Sequence, residues 1–232
     1  MSTVSLWWCV KLHCNATIFG PESRVVTDWE KTFFRDVHPF GFIVFARNIE
    51  SPDQLRRLTA DLRDTVGRNA PILIDQEGGR VQRMRSPHWR EYLPALDQME
   101  RARAPMRAQW IRNRLFAQEL YDVGIDVNCA PLADLVEDET HPVLRNRLCY
   151  GRACVDSHKD LPTVNVSRKA LETHDFAPFK ALNDMAMGMT AHIVFADIDP
   201  DNPATTSPKM MKVIREDIGF DGLIMSDDIS MQ

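Results

Sequence analysis

The sequence predicts an α/β fold of repeated strand-helix units arranged as a TIM-type (β/α)8 barrel, and three observations predict it. Short continuous apolar runs bounded by Gly, Pro or Asp recur along the chain, as strands covered on both faces of a parallel sheet require. Segments with apolar residues at helical spacing alternate with these runs. Strand starts lie about 30 residues apart where units are compact, and no Gly-x-Gly-x-x-Gly turn follows any of them, which favours a barrel over a dinucleotide-binding sheet.

The elements follow in order. Thr27 to Glu30 reads as a capping box that opens an early helix. Gly41 to Phe45 is a buried strand. Ser51-Pro52 opens a helix carrying Leu55, Leu58, Leu62 and Val66 on one face, and Gly67 closes it. Pro71 to Asp75 is the next strand. Met106 to Val123 forms a helix that Gly124 stops before the strand Ile125 to Cys129. Gly188 to Phe195 reads as one strand, Ser207-Pro208 caps a helix over Lys209 to Asp217 that ends at Gly219, and Gly222 to Ser226 is a further strand. Between Ala130 and Met187 a full unit is expected, yet Arg145 to Val166 is polar, broken by Gly151 and Pro162, and holds no strand-like run. The barrel therefore reads as incomplete there.

Composition narrows the function classes. A chain of 232 residues with 44% hydrophobic content suits one barrel domain, here residues 16–232 after an unassigned segment 1–15. With 26% charged residues, a net charge of -5 and no concentration of Lys and Arg, nucleic acid is not an expected partner. No apolar run nears the roughly 18 to 20 residues of a membrane span, and Met1 to Val10 lacks a basic lead, so neither a membrane nor export is expected. Five cysteines, Cys9, Cys14, Cys129, Cys149 and Cys154, form no Cys-x-x-Cys pair; free thiols in a reducing cytoplasm are the expectation. No cofactor, metal or protein partner is implied.

In such a barrel the catalytic side chains sit at the carboxyl ends of strands. The polar residues found there are Asp75 with Gln76-Glu77-Gly78-Gly79-Arg80, then Asn128 to Asp134, His192 within its strand, and Asp227-Asp228. Asp227 alone could be a solvated strand-end carboxylate, Asp156 and His158 a loop-turn pair, and His192 a core or pocket-lining histidine.

The run Ile74-Asp75-Gln76-Glu77-Gly78-Gly79-Arg80-Val81-Gln82-Arg83 resembles the sugar-binding loop of family 3 glycoside hydrolases, the β-N-acetylhexosaminidases of bacterial cell-wall recycling. Three further stretches resemble that family in the same order: Arg145-Asn146-Arg147 with Cys149-Tyr150-Gly151, Asp156-Ser157-His158, and Ser226-Asp227-Asp228-Ile229-Ser230-Met231. The resemblance runs from about Ala16 to the last residue. It implies Asp227 as the nucleophile of a retaining mechanism and His158 as general acid and base, with Asp156 holding the imidazole and favouring its charged form. It also implies that Asp75, Arg83 and Arg147 bind the sugar. The substrate implied is a small carbohydrate, an N-acetylglucosamine-containing muropeptide.

Family members carry a helix, a strand ending in Lys-His and a Pro-Gly-His-Gly turn where Tyr150-Gly151 here runs straight into Arg152-Ala153-Cys154-Val155. The chain ends five residues past Asp227, before an eighth strand. An open barrel leaves unpaired strand edges and forgoes apolar burial of about 25 cal/mol per Å². The resemblance implies a retaining, exo-acting β-N-acetylglucosaminidase that removes terminal N-acetylglucosamine from muropeptide fragments; weak or absent activity is the expectation for this chain, and a non-catalytic remnant is the competing reading. A metal-dependent hydrolase using Asp156, His158 and His192 is a third, disfavoured because no helix carries ligands at i and i+4.

Overall fold

The computed structural model describes residues 14–132 and 161–229, and the chain divides into two compact units. The first comprises residues 1–93 and 101–130; the second comprises 94–100 and 131–232.

The first unit is built on four parallel strands in the order β1 (Asn15–Phe19), β2 (Pro39–Val44), β3 (Ile72–Ile74) and β6 (Val127–Asn128). Register is continuous across the middle of the sheet, with Val44 opposite Ile74 and Ile74 opposite Asn128. A short antiparallel ladder, β4 (Gln76–Gly78) with β5 (Val81–Gln82), follows β3 directly. The sequence reading gave no hairpin there.

Helix α1 (Asp28–Val37) starts at the capping box foreseen from Thr27 and Glu30: the Glu30 backbone donates to Thr27 Oγ1, and the Glu30 carboxylate accepts from Thr27 N. Helix α2 (Pro52–Val66) has Ser51 as its N-cap and Gly67 at φ 64° as its C-cap, a backbone conformation that glycine adopts at no steric cost. Its Leu55, Leu58 and Leu62 enter a core with Phe34, Phe42, Val44, Ile72 and Ile74. Helix α4 (Pro105–Tyr121) ends just before Gly124, as expected, whereas α3 (Ala95–Arg101) falls almost wholly in the second unit.

The second unit has its own core of Val164, Leu171, Phe176, Met210, Val213, Ile218 and Phe220. Two parallel two-stranded ladders frame it: β7 (Thr163–Val164) with β9 (Val194–Phe195), and β8 (Met187–Thr190) with β10 (Leu223–Ser226). Helical turns fill the intervals. Arg168–Ala170 continues as a π-helical turn over Leu171–Asp175 and leads to Ala177–Ala181. Pro208–Lys212 starts at the Ser207 cap and continues as Val213–Asp217, with Gly219 at φ 79° beyond it.

Two sequence expectations are corrected here. Gly188 to Phe195 is two strands with different partners, because the chain bends at Ala191 to Ile193, where Ile193 N donates to Ala191 O. His192 therefore sits between strands rather than within one. Arg145 to Val166 does contain a strand, β7, whose two residues are too few to register as an apolar run. Its ladder is extended by Val194 N donating to Pro162 O and Ala196 N to Val164 O.

Candidate functional site

In the first unit, Asp75 is the residue immediately after β3, and Arg83 follows β5. Arg83 Nη2 meets Asp75 Oδ2 at 2.8 Å, with both side chains mostly shielded from solvent. The guanidinium also lies 5.7 Å from the ring centroid of Phe45, just past β2, so a cation-π contact adds to the ion pair. Arg83 Nε is buried and has no hydrogen-bond partner among the described groups. A buried N–H without an acceptor costs about 1–3 kcal/mol, and a bound hydroxyl is one way to recover it.

The loop holding this pair is rigid for identifiable reasons. Gln76 Oε1 accepts from the backbones of Arg83 and Met84, and Gln82 Nε2 donates to Met84 O and Arg90 O. Asn128, at the end of β6, bonds both backbone groups of Gln76, at 3.0 Å each, and so continues the sheet with a side chain. Gly78 and Gly79 have φ of 94° and 61°, and a Cβ on Gly78 would lie 2.7 Å from Leu93 O. The two glycines of the motif are thus a backbone requirement.

In the second unit, Asp227 follows β10 and is half-buried. Its N–H donates to Thr190 O at 3.1 Å, and its Oδ1 accepts from Asp228 N at 2.8 Å. His192 lies beside the same segment: Nε2 is 3.2 Å from Asp228 O, and Nδ1 is 2.9 Å from Thr205 Oγ1. Thr190 Oγ1 lies 3.2 Å from both Thr205 Oγ1 and Met225 O.

The loop that presents Thr205 is anchored at its two ends by Asp199 and Ser207, whose hydroxyl donates to Asp199 Oδ2 at 2.6 Å. The Ser207 hydroxyl, with help from Asn202 and Lys209, holds the Asp199 carboxyl below the usual carboxylate range although burial opposes it.

Of the residues selected from sequence, Asp75 and Arg83 are brought together in the first unit. Asp227 sits in the second, sharing its segment with His192. Arg147, Asp156 and His158 lie outside the described residues. The sequence reading missed Phe45 beneath Arg83 and the pairing of Thr190 with Thr205. Phe45 was visible as the end of an apolar run; nothing in the sequence singles out Thr205.

With this geometry in place, the class of protein is set by comparison. Residues 25–148 and 147–232 match the family described as Glycosyl hydrolase family 3 N terminal domain, and the chain belongs to that family. It is a glycosidase of TIM-barrel type. A β-hexosaminidase of Alkalilimnicola ehrlichii is 32% identical over 254 residues, covering 92% of this chain and 72% of the relative. The crystal structure of native NagZ from Neisseria gonorrhoeae superposes with a TM-score of 0.84 at 29% identity, over 94% of this chain and 74% of the other. NagZ from the same organism in complex with N-trifluoroacetyl-D-glucosamine gives a TM-score of 0.83 at 29% identity, over 94% and 75%.

Among the described residues no helix is long and apolar enough to cross a membrane, and no three His, Cys, Asp or Glu side chains gather as a metal site.

Proposed function

We propose that this chain removes terminal non-reducing β-linked N-acetylglucosamine from peptidoglycan fragments in the cytoplasm. The observation that carries the reading is the Asp75–Arg83 pair at the end of β3, with the buried Arg83 Nε still lacking an acceptor. A sugar offers vicinal hydroxyls that can donate to the carboxylate and accept from the guanidinium at once. The related NagZ in complex with N-trifluoroacetyl-D-glucosamine supports an N-acylated aminosugar as the ligand.

In this reading the carboxylate of Asp227 attacks the anomeric carbon as the glycosidic bond breaks, giving a covalent glycosyl-enzyme with inverted configuration. His158 protonates the departing oxygen, then takes a proton from the water that attacks the intermediate, which restores the original configuration. Asp156 holds the His158 imidazole, and Arg147 joins Asp75 and Arg83 on the sugar. Residues 16–232 act as one catalytic domain. No cofactor, metal or protein partner enters the reaction as proposed.

A second reading is favoured by one observation, the direct run from Tyr150-Gly151 into Arg152 where the family carries a Lys-His sugar-binding pair. It holds that this chain binds the sugar weakly, or not at all, without turning it over. One set of measurements separates the two. Hydrolysis of a chromogenic N-acetyl-β-glucosaminide by the purified chain, with the β-anomer as first product and loss of turnover in Asp227→Ala, supports the enzyme. Calorimetric binding of N-acetylglucosamine without turnover supports the second reading. Normal turnover in Asp227→Ala refutes the nucleophile assignment.

A further inference from the structure

The contacts of His192 are more specific than those of a core or pocket-lining histidine. Both ring nitrogens have partners, and the two partners belong to different segments, the loop at Thr205 and the backbone after β10. The carbonyl of Asp228 can only accept, so Nε2 must carry the proton that faces it. A neutral imidazole protonated at Nε2 leaves Nδ1 as an acceptor, and the Thr205 hydroxyl then donates to it. Thr205 Oγ1 is in turn 3.2 Å from the hydroxyl of Thr190, whose one proton has Thr205 Oγ1 and the Met225 carbonyl as acceptors at equal distance, while the Ala191 carbonyl lies 3.3 Å from Thr205 Oγ1, farther than His192 Nδ1. The contacts run from Thr190 through Thr205 and His192 to the Asp228 carbonyl.

These contacts end on both sides of one residue. The N–H of Asp227 is held by the Thr190 carbonyl, and the carbonyl one residue later is held by His192. The segment carrying the Asp227 carboxylate is therefore pinned before and after that side chain, from Thr190 at the end of β8 and from His192 in the bend that follows it.

We propose that His192 is a positioning residue for Asp227: in its Nε2–H form it holds the Asp228 carbonyl and fixes the strand end that presents the nucleophile. This inference rests on the assignment of Asp227 as nucleophile. A misplacement of about 1 Å at a reacting atom can cost on the order of a hundredfold in rate, which sets the scale of the effect.

The test uses the full 232-residue chain and three variants: His192→Phe, which keeps an aromatic ring without a donor, His192→Gln, whose amide can still donate, and Asp227→Ala. Nitrogen-15 spectra of the wild-type imidazole should show the Nε2–H tautomer; the Nδ1–H tautomer overturns the proposal. In His192→Phe, hydrogen exchange at the Asp227 amide should rise about tenfold, while exchange in β2 and β3 is unchanged and His192→Gln largely restores protection. Unaltered Asp227 exchange in His192→Phe overturns it.

These two measurements decide the brace whatever the turnover of the chain. On the chromogenic substrate, kcat of His192→Phe should fall about a hundredfold with KM within about twofold, and His192→Gln should recover most of it. An unchanged kcat in His192→Phe beside a dead Asp227→Ala sinks the brace alone. Full turnover in Asp227→Ala sinks the nucleophile reading, and the ring-nitrogen and exchange results then still report on the brace.

Discussion

Strand β3 in the first unit and strand β10 in the second are both short apolar runs that follow a capped helix, yet their burial differs. Ile72, Leu73 and Ile74 are each 1% exposed or less, whereas Leu223 is 39% exposed and Ile224 and Met225 are only half-buried. The neighbours explain the difference. Strand β3 has β2 on one side and β6 on the other, and α2 lays Leu55, Leu58 and Leu62 into the same core. Strand β10 pairs with β8, and that is its one strand partner among the described residues. A parallel strand is buried by what flanks it, so the same sequence signal yields a core strand in one unit and a half-covered strand in the other.

The proposed division of chemistry gives the largest test of that contrast. Substitutions in the first unit should act on binding and those in the second on turnover. Asp227→Ala should lower kcat by roughly a thousandfold or more, while Arg83→Ala should raise KM by about 10- to 100-fold, the value of a charge-assisted hydrogen bond. Steady-state kinetics on the chromogenic substrate separates the two; a kcat effect from Arg83→Ala alone would break the division.

Matched leucines give the next largest effect. Leu73→Ala in β3 should cost about 2–5 kcal/mol in urea unfolding, as deletion of a buried side chain does, and Leu223→Ala in β10 should cost less than about 1 kcal/mol. Equal costs would mean that Leu223 is covered in solution.

Caps sharpen the comparison at smaller scale. Ser51→Ala removes one cap from α2 and should cost about 1 kcal/mol. Ser207→Ala removes a cap and also the hydroxyl on Asp199, so it should cost about 2 kcal/mol and raise the Asp199 pKa. Thermal unfolding with carboxyl titration by NMR measures both.

Acid should weaken both units in the same direction. Burial alone would raise the Glu30 carboxyl, but the N–H groups of Glu22 and Thr27 and the Thr27 hydroxyl outweigh it and lower the pKa; Asp199 is lowered chiefly by Ser207. A carboxyl whose folded pKa is depressed stabilises the fold above its ordinary pKa of about 4, and that stability is lost as pH falls through the folded value. Tm should therefore decline below about pH 5, and Glu30→Gln should flatten part of that decline.

Much of the first unit was legible in the sequence because its signals are local. Thr27 with Glu30, Ser51-Pro52 and Gly67 act within one helical turn of themselves, and each was found where it was read. The motif around Asp75 was legible as a resemblance, and its glycines as turn residues. The hairpin within it was not, since it depends on Gln76 and Gln82 each bonding to backbone 8 residues away and on Asn128 bonding to backbone 52 residues away. In the second unit the run from Gly188 to Phe195 concealed a change of partner, because hydropathy does not record which strand lies alongside.

The sequence by itself determined the repeated strand-helix order, the helix ends and the family, since caps, periodicity and a long motif are properties of neighbouring residues. Only the tertiary structure decided that Arg83 sits on Asp75 and over Phe45, and that His192 holds the segment of Asp227 through Thr205 and the Asp228 carbonyl. Those contacts join residues 8 to 38 positions apart, and their bonds depend on where the backbone returns in space, which no local pattern encodes.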